Sequence, residues 1–209
     1  MAGDMPHFFQ GVVVAAAILT GCQVRHETPP PSPSPLRTST TSSAPAKPNW
    51  NQRLLQAAEK SDYEAALAAL QHGASPNARG FFDMSPLLWA VSKHNFEIVK
   101  LLLDSGANPD QPKKDLVTPV QIAASLGDLP MTRLLVEHGA DVNHADHVGQ
   151  TALFWVAFYG HLPVADYLVQ HGARVHVVDQ FGQTPLSMAE GQHRDEMIAF
   201  LTSHGAVKR

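Results

Sequence analysis

Residues 106–153 read GANPDQPKKDLVTPVQIAASLGDLPMTRLLVEHGADVNHADHVGQTAL, and two markers recur within them at one interval. The pair Gly106-Ala107 returns as Gly139-Ala140, and Thr118-Pro119-Val120 returns as Thr151-Ala152-Leu153, each after 33 residues. Outward from this stretch, Gly-Ala extends to Gly73, Gly172 and Gly205, and the second marker to Ser85-Pro86-Leu87 and Thr184-Pro185-Leu186, on the same beat. A single globular core imposes no such period, whereas a stack of like units does.

The markers also specify the unit. A Ser or Thr hydroxyl caps the first turn of a helix, and the proline after it sits where no N–H is needed. Ala90, Ala123, Ala157 and Ala189 then leave room for a second helix to approach closely. That second helix supplies Leu101-Leu102-Leu103, Leu134-Leu135, Tyr167-Leu168-Val169 and Phe200-Leu201 to its buried side. The following glycine takes the left-handed cap that ends it. In two units this helix opens with its own proline, at Leu129-Pro130 and Leu162-Pro163.

The whole pattern resembles the ankyrin repeat, from about Trp50 to the end of the chain. The resemblance implies an all-α solenoid of about five helix-turn-helix repeats with short β-hairpin fingers, at residues 50–80, 81–113, 114–146, 147–179 and 180–209. The first unit, Trp50 to Arg79, lacks the Thr-Pro-Leu signature, and the last stops just past its Gly-Ala, so these two read as caps. One family position departs. The histidine expected after Thr-Pro-Leu is Leu88, Gln121, Phe154 and Ser187 here, so the family's histidine network is absent or replaced. Instead His72, His138, His171 and His204, with Ser105 in the remaining unit, precede the glycine of Gly-Ala. That period makes them helix-end residues beside the negative end of the helix dipole.

Residues 1–49 have a different composition. An apolar run from Phe8 to Leu19, broken by Gln10 and Gly11, is too short to span a bilayer but suits a secretory leader. It ends in Leu19-Thr20-Gly21-Cys22, which resembles the lipobox of bacterial lipoproteins; by that likeness residues 1–21 are a signal peptide and Cys22 is the lipidated first residue. The flank carries Asp4 and His7 and no Lys or Arg, a departure that a start at Met5 would reduce. Gln23, where an aspartate would favour the inner membrane, implies an outer-membrane, periplasm-facing anchor. Residues 22–49, with Pro29-Pro30-Pro31 and a Ser/Thr tract, cannot bury enough apolar surface to fold and read as an extended tether.

Composition narrows the function. Lys and Arg number 15 against 19 acids, which offers no cationic excess for nucleic acid. Cys22 is the one cysteine, so neither an internal disulfide nor a cysteine metal cluster can form. No Gly-x-Ser-x-Gly elbow, His-Glu-x-x-His helix or phosphate-cradling glycine loop occurs, and the reading is a binding protein without catalytic residues or cofactor. His144, Asp146 and His147 form the most metal-like cluster and read as a solvated finger rather than a site.

By the ankyrin resemblance a protein partner is gripped by the fingers and the exposed ends of the first helices. The candidates are Phe81, Phe82 and Met84, then Lys93, Lys114 and His147, the pair Phe158 and Tyr159, and Phe181. Large aromatics at such places are what binding hot spots are made of. Adjacent helical residues point in different directions, so at least one of Phe158 and Tyr159 is expected to face outward. A monomeric, lipid-anchored binding module resembles the immunity lipoproteins that Gram-negative bacteria keep beside type VI lipase effectors. The alternative is a periplasmic scaffold supporting an envelope enzyme or an oxidative-stress enzyme such as a catalase.

Overall fold

The computed structural model describes residues 49–207; the leader, Cys22 and nearly all of the tether lie outside them. The described residues form five helix pairs: α1 (Trp50–Lys60) with α2 (Tyr63–Gln71), α3 (Pro86–Ser92) with α4 (Phe96–Asp104), α5 (Pro119–Ser125) with α6 (Leu129–Glu137), α7 (Ala152–Tyr159) with α8 (Leu162–Gln170), and α9 (Pro185–Gly191) with α10 (Asp195–Ser203). The first helices pack one on the next along the row α1, α3, α5, α7, α9, and the second helices line up behind them. None of the ten is long and apolar enough to cross a membrane.

Each helix pair is too thin to bury its own apolar side, so the core runs continuously through the stack. Leu54, Leu88, Ile98, Leu102, Leu135, Phe154, Leu168 and Leu201 are all inaccessible to solvent. The expected small residues pack as read, with one change of register. The position of Ala90, Ala123 and Ala189 is filled in the fourth unit by Val156, while Ala157 stands one place further on; all five are buried. The caps vary more than the sequence implies. Ser85 and Thr184 accept the amides of Leu88 and Ser187, at 3.1 Å each. Thr151 makes no side-chain cap bond, and Thr118 bonds to the Gln121 side chain instead.

The Gly-Ala pair closes every second helix in the same way. The glycines at 73, 106, 139, 172 and 205 have φ between 84° and 91°. This left-handed turn aims the next amide back along the helix. The alanine N–H then reaches the carbonyl five residues earlier, Ala107 to Leu102 at 2.9 Å and Ala140 to Leu135 at 3.1 Å, while its methyl is buried. The residue before the glycine completes the end. His138, His171 and His204 each place Nδ1 2.8–2.9 Å from the carbonyl four residues back, and Ser105 does so with its hydroxyl at 2.7 Å. His72 departs from its set and stacks on Trp50 at 4.1 Å, a ring that also meets the Arg53 guanidinium at 4.6 Å.

The histidine that the resemblance implies has different substitutes here. Leu88 and Phe154 fill its place with buried hydrocarbon. Gln121 restores a polar tie: its amide donates to the carbonyls of Gln150 (2.7 Å) and His144 (3.1 Å), and its oxygen accepts the Thr118 amide. Neighbouring units are stitched by a second ladder. Asn77 accepts from the Asn108 amide and donates to the Gly106 carbonyl; Asn143 likewise accepts from Arg174 and donates to Gly172. Between them stands Asp110, which accepts from the Asp141 amide at 2.8 Å but has no N–H to give Gly139.

The expected β-hairpin fingers are corrected to tight turns. Each is closed by one cross-bond, Gly80 to Met84, Lys113 to Val117, Asp146 to Gln150 and Asp179 to Gln183, at 2.8–3.0 Å. A single cross-bond is too short a ladder for a strand, and no strand occurs among the described residues.

The ladder gives a stability prediction. Asp110→Asn supplies the missing donor to the Gly139 carbonyl, so unfolding free energy should rise by about 1 kcal/mol. Urea denaturation of the two proteins measures it, and a variant no more stable than wild type would refute this account of the rung.

Candidate functional site

The four fingers share one backbone plan but not one chemistry. In the two C-terminal fingers an aspartate builds the turn: Asp146 Oδ1 accepts the amides of Val148 and Gln150, and Asp179 Oδ1 those of Phe181 and Gln183. A buried bond from Gln150 to Asp179, 2.8 Å, clamps the two together. Their fourth positions are Gly149 and Gly182, with φ of 92° and 76°. The two N-terminal fingers have Gly80 and Lys113 in place of the aspartate, and Met84 and Val117 in place of the clamping glutamine. They keep the left-handed turn without glycine: Phe82, Asp83 and Leu116 have φ of 55°, 57° and 61°. Bulky L-residues rarely adopt this region, and each does so at a cost of about 1–2 kcal/mol.

These two fingers also carry the most exposed aromatic side chains of the array. Phe81 is 81% accessible, Phe82 65% and Leu116 47%, and the two phenyl rings meet edge to face at 4.5 Å. The fingers are joined by a bond from the Lys114 amide to the Phe82 carbonyl, 3.4 Å, which sets Lys114 beside the aromatic pair. Arg79 pairs with Asp83 at 3.6 Å and Lys113 with Asp115 at 2.9 Å. The Lys113 ammonium, first through its hydrogen bond, holds the Asp115 carboxyl below its ordinary range. Lys114 has no ion partner among the described residues, which leaves the pair of fingers with one surplus positive charge.

The other candidates are distributed along the array. Lys93 and His147 are exposed and Met84 is half-buried. Phe181 is 47% accessible on the last finger. Val148 and Gln150, finger residues too, are buried by the clamp. Phe158 and Tyr159 are less open than expected: both are half-buried, packed edge to face at 5.0 Å, with Tyr159 stacked toward His161. Leu116 carries no functional signal in the sequence by itself, because leucine has no special meaning until its neighbours fail to cover it. The signal available was its register with Gly149 and Gly182, a leucine where the repeat has glycine.

His144, Asp146 and His147 do not converge. The Asp146 carboxylate is engaged by the turn, His147 Nδ1 lies 3.1 Å from the Asp115 carbonyl, and His144 Nε2 is buried without a partner. Among the described residues no three His, Cys, Asp or Glu side chains are arranged to hold a metal ion.

The family of ankyrin repeats (3 copies) matches residues 54–146 and 143–209, three quarters of the chain. The chain belongs to the ankyrin-repeat family. No curated protein matches it. Ankyrin repeats are protein–protein interaction modules, generally non-enzymatic binding scaffolds, and an ankyrin array with exposed aromatics on its fingers has the means to bind a protein partner. The polar clamp orders the C-terminal fingers, and the N-terminal fingers present hydrocarbon.

The strained turns are testable through stability. Leu116→Gly relieves an unfavourable φ and should raise unfolding free energy by about 0.5–1 kcal/mol, offset in part by the freedom glycine adds to the unfolded chain. Gly182→Ala, where a methyl would touch nothing, should lower it by a similar amount through φ alone. Thermal and urea melts decide both signs, and a destabilised Leu116→Gly would mean that the leucine packs rather than protrudes.

Proposed function

We propose that this ankyrin protein is an envelope-anchored inhibitor: an immunity lipoprotein that binds an antibacterial effector, a secreted phospholipase, and occludes it. The observation that carries the binding step is the aromatic pair Phe81 and Phe82, 81% and 65% accessible on a strained turn. Folding gains nothing from exposing two phenyl rings on a turn that holds Phe82 in left-handed backbone, whereas a partner that covers them gains the burial of both. The anchoring step is supported by the lipobox-like Leu19-Thr20-Gly21-Cys22 and the proline-rich stretch after it. An inhibitor held at the membrane on a tether stands where an envelope-directed lipase arrives, and occlusion needs no chemistry of its own.

Two experiments test the two steps. Cys22→Ser should abolish palmitate labelling and move the protein out of the membrane fraction; unchanged membrane attachment would remove the anchor from the proposal. For the binding step, a phospholipase effector encoded beside this gene is expressed in the periplasm of a sensitive host, alone, with the wild-type protein and with Phe81→Ala/Phe82→Ala. Wild type should protect. The double variant, still melting cooperatively, should need at least about thirtyfold more inhibitor, the equivalent of a 2 kcal/mol hot spot. Absence of protection by wild type would overturn the immunity reading.

A further inference from the structure

The fingers form a ladder with an open end. The second amide of each later finger donates to the third carbonyl of the finger before it: Lys114 to Phe82, His147 to Asp115 and Gln180 to Val148, at 3.4, 3.3 and 2.9 Å. The corresponding amide in the first finger belongs to Phe81. No finger precedes it among the described residues, which begin at the α1 cap residue Asn49, and the Asn49 carbonyl is taken by the Arg53 amide at 3.1 Å. The Phe81 N–H therefore makes no hydrogen bond among the described residues. This donor is repeated and paired three times in the array and left unpaired once, at the finger with the most exposed apolar side chains.

We infer that the open edge of the first finger receives an extended segment of the protein partner, whose main-chain carbonyl takes the Phe81 N–H as a preceding finger's would. This rests on the protein-binding reading above and adds the form of the ligand. An unpaired edge offers main-chain hydrogen bonds to any extended chain, and side chains set the choice. Phe81 and Phe82 call for apolar side chains on that segment. The charge balance calls for an acid: Arg79 and Asp83 neutralise each other, as do Lys113 and Asp115, and Lys114 is left over beside the Phe82 carbonyl. The occupant is an extended apolar stretch of polypeptide with an Asp or Glu within it.

The test uses the full chain and, as probe, peptides selected from a phage-displayed random library. The substitutions are Phe81→Pro, which removes the N–H, and Phe81→Leu, which keeps it. Gly80 before it is already extended, with φ −103° and ψ −156°, so proline is accommodated there. Selected peptides should share apolar residues and an acid, slow the hydrogen exchange of the Phe81 amide, and bind Phe81→Pro about tenfold more weakly while Phe81→Leu loses less than threefold. Equal binding to Phe81→Pro would overturn the proposal, even with wild type still protecting against the effector; peptide binding that behaves as expected would stand if protection failed. A Phe81 amide already slow to exchange in the free chain would assign the edge to the chain's own N-terminal segment and overturn it. Phosphatidylglycerol vesicles, rather than peptides, protecting the fingertips would do the same in favour of a lipid surface.

Discussion

At the end of every second helix a glycine in left-handed backbone turns the next amide back onto the carbonyl five residues earlier, in the last turn of the helix, and the alanine that carries this amide is buried. Everything else in the array depends on this closure. It stops each helix at the same length and delivers the chain to the next finger in the same direction, so first helices meet first helices and a shared core can form. A side chain with a Cβ meets no neighbour at these glycines, so the requirement is one of backbone angle and not of space.

Around that invariant, the inter-repeat ties are improvised from whatever residue is present. The asparagine ladder uses both faces of an amide at Asn77 and Asn143 but only an acceptor at Asp110. Gln121 does with a flexible amide what the family does with an imidazole, while Leu88 and Phe154 replace polar linkage with packing. The last unit has Ser187 at that place, exposed and bonded to its own cap. The stack thus tolerates divergence wherever a buried polar atom can still find a partner or be replaced by hydrocarbon.

The fingers show a division of labour along the array. Where aspartate and glutamine clamp neighbouring turns, the tips are glycine and the clamping residues are buried. Where those residues are absent, the turn holds Phe82, Asp83 and Leu116 in strained backbone and leaves hydrocarbon in water. Strained backbone and the most exposed aromatics coincide at one place, in a fold whose other fingers turn on glycine, and are the marks of a surface kept for something outside the chain.

The repeat length, the helix pairs, the buried leucines and the histidines at the helix ends were legible in the sequence alone, because each is a local requirement written once per 33 residues. A left-handed turn asks for glycine and a helix start for proline, and no distant residue can change that. What only the tertiary structure decided is which side chains are left over. Phe81, Phe82, Phe158 and Tyr159 are equally aromatic on paper, yet the first two protrude and the second two shelter each other. Val148 and Gln150 occupy finger positions and are buried by a bond between units, while Leu116, in the same kind of turn, is uncovered. Exposure belongs to the packing of neighbours 29 to 36 residues apart, as in the bonds from Gln150 to Asp179 and from His161 to Ser125, and a periodic sequence does not say which of its equivalent positions those neighbours will cover.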